Sequence, residues 1–342
     1  MVSFPSDPIP HAATMLVTSA LEVHPTDRFV VICDIESNDI GVAIGNAGEQ
    51  VGAEVTVARL DKLQSVSTNH SGERPHKVLP DTVRRAMLAA QASAFVATAP
   101  RQEASMREQL LHIVGACKIR HAHMPQISKR AFANGLKVDF REIEKWSRAM
   151  ERKLETARVL LANSTAGTNL RLSFAPNNRW TPHTGVIVPG QWTALPAGAL
   201  YAQPESVEGV FVANASLGEF FGTRTGLLLT SPARLFIENG RVARVEAKEC
   251  PQLERDIAEM LAVAPNSDRV GLVAIGVNAA LDAATGDALV DENLPGLHLV
   301  IGDPAGRIRS STFSARTSFF ACSSGTSVKV DGSFAIYGGK LV

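Results

Sequence analysis

The 342-residue sequence predicts two domains: an N-terminal α/β domain, in which helices cover a parallel sheet, and a β-rich α+β C-terminal domain. The first half alternates short apolar runs with helical patterns, as expected for a parallel sheet with helices on its faces. The second half has short strand-like runs separated by turns rich in Gly, Pro, Asn and Ser, which is typical of antiparallel sheets. We expect the boundary near Arg158, giving domains 1–158 and 159–342.

Four short apolar runs predict the strands of the first domain: Arg28–Cys33, Glu54–Leu60, Ala94–Ala97 and Ala116–Ile119. Between them we expect a polar turn leading into a helix of small residues within 34–52, helices at Pro80–Ala92 and Gln102–Leu111, and a polar loop at Ser65–His76. No GxGxxG motif follows the first strand, because Gly41 and Gly45 lie within the helical segment. The spacing therefore disfavours a dinucleotide site.

A strong helix begins near Asp139, since Phe140, Ile143, Trp146, Met150 and Leu154 recur at helical spacing. Strands of the second domain are then expected at Val159–Leu161, Leu170–Phe174, Val207–Val212, Gly226–Leu229 and Arg234–Ile237. The dipeptides Asn239-Gly240 and Asp331-Gly332 predict tight hairpins, because both residues tolerate positive φ angles. One helix is expected in this half, at Cys250–Val263.

The segment from Arg269 to Arg309 stands at the centre of the second domain. Its apolar runs Val270–Val277 and Leu297–Gly302 are bounded by turn-forming residues, which predicts strands buried on both faces. The second strand carries His298 among aliphatic residues.

Composition and cysteine spacing limit the classes of protein to which this sequence can belong. Lys+Arg and Asp+Glu both total 34, so the net charge is zero, which argues against nucleic-acid binding. The four cysteines are scattered without a CxxC pair, which makes a structural zinc site unexpected. We find no secretory signal and no membrane-length apolar run, so we expect a cytoplasmic protein without membrane contact.

Seven segments in order resemble one family, the thermophilic metallo-aminopeptidases of the aminopeptidase T and aminopeptidase S type, distantly related to 2,5-dihydroxypyridine 5,6-dioxygenase. The segments are Ala166–Leu170, Leu195–Ala199, Phe236–Val242, Gly276–Asn278, Val290–Asn293, Gly296–Gly302 and Val330–Gly332. The resemblance implies an aminopeptidase T-like fold, an active site in the C-terminal domain and a homodimer that encloses it.

The same resemblance implies metal ligands, and this sequence departs from them. The peptidases bind two divalent metals through two glutamates, two histidines and an aspartate, and the dioxygenase binds one iron through two histidines and an aspartate. The glutamate positions are here Ala199 and Leu272, and the closing His-x-Asp is Ser318-Phe319-Phe320, so only His298 remains. Ala, Leu and Phe supply no ligand, so we expect no metal and no other cofactor.

The resemblance makes His298 the candidate general base or acid, with Cys322 and Ser318 as further catalytic candidates beside the lost His-x-Asp. Their alternatives are structural: a core histidine satisfied by hydrogen bonds, and a small buried cysteine. Arg316, Asp303 and Tyr201 are candidate substrate-binding residues. Arg316 could hold a substrate carboxylate or lie at the surface. Asp303 could orient His298 or cap the turn that follows it.

Other polar clusters fit a function less well. His121 and His123 are two apart on a predicted strand end and so point the same way, but no third metal ligand is evident nearby. Arg179, Trp180 and His183 form a polar-aromatic group, and Trp192 and Tyr201 flank Ala199. All of these are also consistent with ordinary packing.

Three functions stay open on the sequence. The first is a metal-independent enzyme, of hydrolase or lyase type, that acts on a small molecule. The second is a metal-dependent aminopeptidase or ring-cleaving dioxygenase relative with a rearranged site. The third is a non-catalytic dimeric member of the family.

Overall fold

The structure, a computed structural model, describes residues 8–63, 78–98, 104–308 and 311–342. The loop predicted at Ser65–His76 lies outside these ranges. The chain forms two compact units. The first contains the described residues up to Glu142 together with Gly185–Pro196, and the second contains Ile143–Thr184 and Ala197–Val342. The single boundary near Arg158 stays a prediction.

The first unit is built on five parallel strands in the order β2-β1-β3-β4-β8 among its described residues. The strands are β1 (Arg28–Cys33), β2 (Glu54–Arg59), β3 (Ala92–Phe95), β4 (Arg120–His123) and β8 (Trp192–Ala194). Its helices are α1 (Pro8–Met15), α2 (Asn38–Val51), α3 (Leu60–Leu63), α4 (Asp81–Ala89), α5 (Ala104–Cys117) and α6 (Lys129–Gly135), and a π-helical turn covers Leu16–Ala20. The next helix, α7 (Phe140–Leu154), belongs to the second unit from Ile143 onward. The predicted parallel α/β sheet is confirmed.

The glycines of α2 bring that helix close to the sheet. A Cβ on Gly41 would lie 2.7 Å from Cys33 Sγ, and one on Gly48 would lie 2.7 Å from Phe29 Cδ1. The glycines therefore serve helix–sheet packing. On the other face, Val30 and Ile32 share a core with Val83 of α4.

Two predicted boundaries in this unit were wrong. The helix predicted to Ala92 ends at Ala89, and β3 starts at Ala92. The strand predicted at Ala116–Ile119 is instead the end of α5 and the turn after it, and β4 begins at Arg120. The helix continues because Leu110 and Val114 extend its buried face into the core. The strand thus carries His121 and His123 in its buried part.

Two antiparallel sheets form the second unit. In its described part, an eight-stranded sheet has the order β13-β12-β10-β6-β5-β17-β18-β19, and a six-stranded sheet has the order β11-β16-β15-β14-β9-β7. The strands of the first are β5 (Val159–Asn163), β6 (Asn169–Ser173), β10 (Ser206–Ala213), β12 (Ala233–Glu238), β13 (Arg241–Glu246), β17 (Ser327–Val330), β18 (Ser333–Tyr337) and β19 (Lys340–Leu341). Those of the second are β7 (Thr181–His183), β9 (Ala199–Ala202), β11 (Ser216–Leu217), β14 (Val270–Gly276), β15 (Gly296–Gly302) and β16 (Ser318–Cys322).

One apolar core joins the two sheets of the second unit. It contains Leu172 and Leu235 of the eight-stranded sheet together with Val273 and Leu299 of the six-stranded sheet. The long apolar runs at Val270–Gly276 and Gly296–Gly302 are buried at every position, as predicted. These strands are central in their sheet, so both of their faces are covered.

The predicted hairpins are confirmed, since Asn239 and Gly240, and also Asp331 and Gly332, have positive φ angles. The strand predicted at Gly226–Leu229 was wrong, because this segment follows the helix α8 (Glu219–Thr225) without pairing. Two further helices are α9 (Pro251–Ala262), which was predicted, and the short α10 (Ala288–Asp291), which was not. No helix in the described ranges is long and apolar enough to span a bilayer.

Candidate functional site

His298, Tyr201 and the ligand positions Ala199, Leu272 and Phe320 lie on one face of the six-stranded sheet. Ala274 of β14 lies directly opposite both Tyr201 of β9 and His298 of β15. Val300 of β15 lies opposite Phe320 of β16. Since paired residues share a face and strands alternate with period two, these side chains are neighbours.

We call this surface the site face. Its members are Ala199, Tyr201, Leu272, Ala274, His298, Val300 and Phe320. It therefore gathers the positions at which the family resemblance places metal ligands. The opposite side of the same strands supplies the core shared with the eight-stranded sheet.

His298 is completely buried, and backbone groups engage both of its ring nitrogens. Nε2 lies 2.9 Å from the carbonyl oxygen of Leu294, and Nδ1 accepts a hydrogen bond from the backbone N–H of Ser323 at 3.2 Å. These partners require the tautomer with the proton on Nε2. Burial lowers the pKa of His298 to about 4, so the ring is neutral at pH 7. This geometry is that of a structural histidine, and a catalytic role stays a prediction.

Cys322 and Ser318 lie in the same strand as Phe320. Cys322 is fully buried, and burial raises the pKa of its thiol well above the usual value, so no nucleophilic thiolate forms there. No hydrogen bond joins Cys322 to His298 within the described ranges. Ser318 is exposed, and its hydroxyl donates to the carbonyl oxygen of Asp303 at 3.0 Å.

Asp303 and Arg316 are held apart from His298. The Asp303 carboxylate accepts from the backbone N–H of Ala305 at 2.7 Å and of Ala315 at 3.1 Å, so it braces the loop between β15 and β16. Arg316 is exposed and forms no hydrogen bond or ion pair in the part of the chain that the structure describes. Their substrate-binding roles stay predictions.

A buried ionic cluster does occupy the edge of the site face. The Tyr201 hydroxyl donates to Glu292 Oε2 at 3.0 Å, and Arg307 Nη2 donates to Glu292 Oε1 at 3.1 Å. Arg307 Nη1 lies 3.4 Å from the Tyr201 hydroxyl, and its guanidinium carbon is 5.3 Å from the Tyr201 ring centre and 5.2 Å from that of Phe320. We call Tyr201, Glu292 and Arg307 the polar cluster.

Burial is the main influence on the pKa values of Glu292 and Tyr201 in the polar cluster. It raises the pKa of Glu292, although Arg307 and the two hydrogen bonds oppose this effect. It also raises the pKa of Tyr201 well above its usual value. The side chain of Arg307 is 24% exposed and that of Glu292 only 2%, so solvent reaches the cluster through the guanidinium.

The sequence analysis named Tyr201 but missed its two partners. Glu292 lies at the end of α10, within the family-like segment Val290–Asn293, and Arg307 follows β15 in a polar loop. A buried acidic residue beside a turn produces no periodic pattern in the sequence. The usable signal was their position, since Glu292 and Arg307 lie close in sequence to the two apolar strands of the segment Arg269–Arg309.

The residues on the site face do not fit a divalent cation. Ala199, Leu272 and Phe320 offer no donor atom, and both nitrogens of His298 are already engaged. Within the described ranges, no group of three His, Cys, Asp or Glu side chains is arranged to hold a metal. In the described ranges, the guanidinium of Arg307 is the positively charged group that lies over the site face, against the rings of Tyr201 and Phe320.

His121 and His123 of the first unit form a buried chain of polar contacts with Ser93. Ser93 Oγ lies 2.8 Å from His121 Nδ1, and His121 Nε2 lies 3.1 Å from His123 Nδ1. His123 stacks on Phe95 and meets Trp192 edge-on, with ring centres 5.2 and 5.6 Å apart. Burial lowers the pKa of His123 to about 4 and that of His121 well below its usual value. The pair therefore packs as neutral imidazoles.

The second unit has an open groove of about 1180 Å³ beside the edge strand β7. Arg179 and Trp180, which the sequence analysis grouped with His183, line it. Ile308 lines the groove and also packs against the apolar part of the site face. Trp192, expected beside Ala199, lies instead in β8 of the first unit.

Comparison with known proteins agrees with this fold. Among curated proteins, no sequence matches the chain. The structure of 2,5-dihydroxypyridine dioxygenase from Pseudomonas putida KT2440 superposes with a TM-score of 0.65 at 16% identity, over 99% of this chain and 98% of the other. Wild-type AmpT from Thermus thermophilus superposes with a TM-score of 0.61 at 16% identity, over 98% of this chain and 99% of the other. The predicted aminopeptidase T-like fold is confirmed.

The family follows from the sequence itself. The profile of NicX, 2,5-dihydroxypyridine 5,6-dioxygenase, matches residues 13–259, which is well over half of the chain. The chain belongs to the NicX family.

Proposed function

We propose that this member of the family is a metal-independent enzyme of hydrolase or lyase type that acts on a small molecule at the polar cluster. The observation that carries the proposal is the buried Glu292–Arg307 pair, which lies beside Tyr201 on a face whose ligand positions are apolar. A buried carboxyl with a perturbed pKa is a frequent mark of an acid–base centre.

Each member of the polar cluster has a distinct part in this proposal. Glu292, whose pKa is raised by burial, is the candidate general acid or base. Arg307 supplies positive charge to an anionic substrate group or to a developing oxyanion. Tyr201 is a positioning residue, because its hydroxyl fixes one carboxylate oxygen of Glu292. Either water or a C–H group beside a carbonyl could lose its proton to Glu292.

The test is a substrate screen with chelator-treated protein, using small esters, amides, lactones and hydroxy acids. We expect turnover that does not rise when Zn²⁺, Mn²⁺ or Fe²⁺ is added. Glu292→Gln should reduce it by about 100-fold or more, the usual scale of a lost acid–base group, and should leave the fold intact. Turnover that appears only with added metal would favour the alternative of a metal-dependent peptidase or dioxygenase relative.

A non-catalytic family member is the second candidate. It is favoured by the closed hydrogen bonding of the polar cluster, in which both carboxylate oxygens of Glu292 already have protein donors. A screen without turnover, together with an intact fold, would support it.

We retain a homodimer as a proposal that follows from the family. Light scattering coupled to size exclusion should give twice the chain mass of 36.5 kDa. A mass equal to one chain would contradict it.

A further inference from the structure

We propose that the groove beside β7 binds a small organic carboxylate, with Trp180 and Gln203 as N–H donors and Arg269 as the charged partner. This inference goes beyond the proposed function, because binding in the groove requires no chemistry at the polar cluster. The described residues that line the groove include Asn178, Arg179, Trp180, Gln203, Arg269 and Ile308.

The first observation is a set of buried donors that lack acceptors. Trp180 is 7% exposed, and its Nε1 has no hydrogen-bond partner among the described residues. An indole N–H can only donate, so it requires an acceptor from outside this set. Buried polar atoms without partners are rare in folded proteins, and each one calls for an explanation.

Gln203 supplies a second donor whose identity is fixed by its neighbour. Its Oε1 accepts from the backbone N–H of Thr312 at 2.9 Å, so the other end of the amide must be the NH₂ group. That Nε2 is buried and also has no partner in the described part of the chain. Asn178 Nδ2, in the same groove, is a third such atom.

The charges of the groove select an anion. Arg179 and Arg269 both line it, and neither forms an ion pair with a described residue. The guanidinium of Arg269 lies 4.2 Å from the ring centre of Phe313, which holds it in place by a cation–π contact. Glu205 is the one acidic residue among the described lining. Two arginines against one glutamate leave an excess of positive charge, which together with the N–H donors is complementary to a carboxylate.

The apolar part of the groove favours an organic ligand over an inorganic ion. Pro182, Pro204 and Ile308 line it together with the Trp180 side chain. A ligand with a hydrocarbon chain would cover these side chains, whereas phosphate would leave them in water. The chemistry recognised is therefore a carboxylate group carried on a small apolar body.

The binding test uses calorimetric titration of the full chain with hexanoate, hexanamide and inorganic phosphate. We expect hexanoate to bind at least about 10-fold more tightly than the other two, since hydrogen bonds to a charged acceptor are worth roughly that factor. Equal binding of hexanoate and hexanamide, no binding of hexanoate, or tighter binding of phosphate would overturn the proposal.

Substitutions of lining residues test whether hexanoate binds in this groove. Gln203→Glu keeps an oxygen for the Thr312 N–H but replaces the donor by a negative charge, so it should abolish hexanoate binding in a chain whose circular dichroism spectrum is that of the wild type. Trp180→Phe should weaken binding about 10-fold.

Arg269→Met should likewise weaken binding about 10-fold. Arg244→Met is its matched control, because Arg244 also lies over a phenyl ring, that of Phe236, but does not line the groove. Equal hexanoate affinity for Gln203→Glu and the wild type, or equal losses for Arg269→Met and Arg244→Met, would contradict the assignment. Hexanoate binding that persists in a Glu292→Gln protein without turnover would show that the groove and the proposed chemistry are separate.

Discussion

The imidazole of His298 forms hydrogen bonds with two backbone groups that have no partner in the strand pairing of the sheet. The carbonyl of Leu294 precedes β15, and the N–H of Ser323 follows β16, so both lie where regular ladder bonding ends. A buried backbone group without a partner is costly, and His298 satisfies one donor and one acceptor at once. The sequence alone could identify this histidine as unusual, but both of its partners are backbone atoms and leave no mark on the sequence.

Replacing His298 by Leu should therefore reduce the free energy of unfolding by about 2–4 kcal/mol, because two buried backbone groups lose their partner. His298→Gln is the milder comparison, since its amide can still donate to one of them. Urea denaturation at neutral pH measures both variants. Wild-type stability of His298→Leu would mean that these hydrogen bonds contribute nothing.

The lowered pKa of His298 also predicts a pH dependence of stability. In the unfolded chain the imidazole binds a proton below about 6.5, whereas in the folded chain it does so only below about 4. The stabilisation is therefore complete above the unfolded value and is lost as the pH falls through this window. From pH 7 to pH 5 we expect a loss of about 2 kcal/mol from this group. His298→Gln should show a correspondingly shallower decline, and identical declines would contradict the assignment.

The Glu292–Arg307 pair gives a second prediction for single residues. Arg307→Met leaves a buried carboxylate without its cation and should cost about 2–4 kcal/mol. In the double variant, Glu292→Gln removes the carboxylate charge that Arg307→Met alone leaves without a partner. The double variant should consequently be more stable than the sum of the single losses predicts, as measured by urea denaturation. Additive losses would show that the two side chains are not coupled.

At the scale of elements, helix α2 shows how glycine spacing sets the distance between a helix and a sheet. A Cβ at Gly48 would meet Phe29 at 2.7 Å and Val55 at 3.0 Å. Gly48→Ala should therefore cost about 1–3 kcal/mol through overpacking. Gly115 of α5 is the matched control, because the nearest atom to its added Cβ is 4.0 Å away.

Gly115→Ala should be neutral or stabilising by up to about 1 kcal/mol, since alanine favours helices. Thermal unfolding of the two variants measures the difference. Equal effects at the two positions would contradict the packing role of α2.

Elements with a clear periodicity could be predicted from the sequence, and those that depend on partners could not. The strands Arg28–Cys33 and Val270–Gly276 were evident because Phe29–Cys33 and Val270–Gly276 are buried at every position and form apolar runs that end at turns. The end of α5 was misplaced because Ala116 and Ile119 suit either a helix or a strand. The short strand β8 has no pattern of its own, and it forms because His121–His123 offers an edge for pairing.

At the scale of the whole molecule, the candidate site differs from the ligand pattern that the family resemblance implies. The chain belongs to the NicX family and shares its fold with AmpT over nearly its full length. Its candidate site nevertheless carries an arginine, a glutamate and a tyrosine beside a face on which the family ligand positions Ala199, Leu272 and Phe320 have no side-chain donor atom. The resemblance located this face from residues such as Ala199 and Leu272. It could not reveal Arg307, because the ligand set that the resemblance implies consists of glutamates, histidines and an aspartate and contains no arginine.

Metal content tests the central claim most directly. The purified chain would be incubated with Zn²⁺, Co²⁺, Mn²⁺ and Fe²⁺, desalted and analysed by elemental mass spectrometry. We predict far less than one equivalent of each metal per chain, in the wild type and in His298→Gln alike. One or two tightly held equivalents in the wild type would contradict the account and would return metal-dependent peptidase or dioxygenase chemistry to first place.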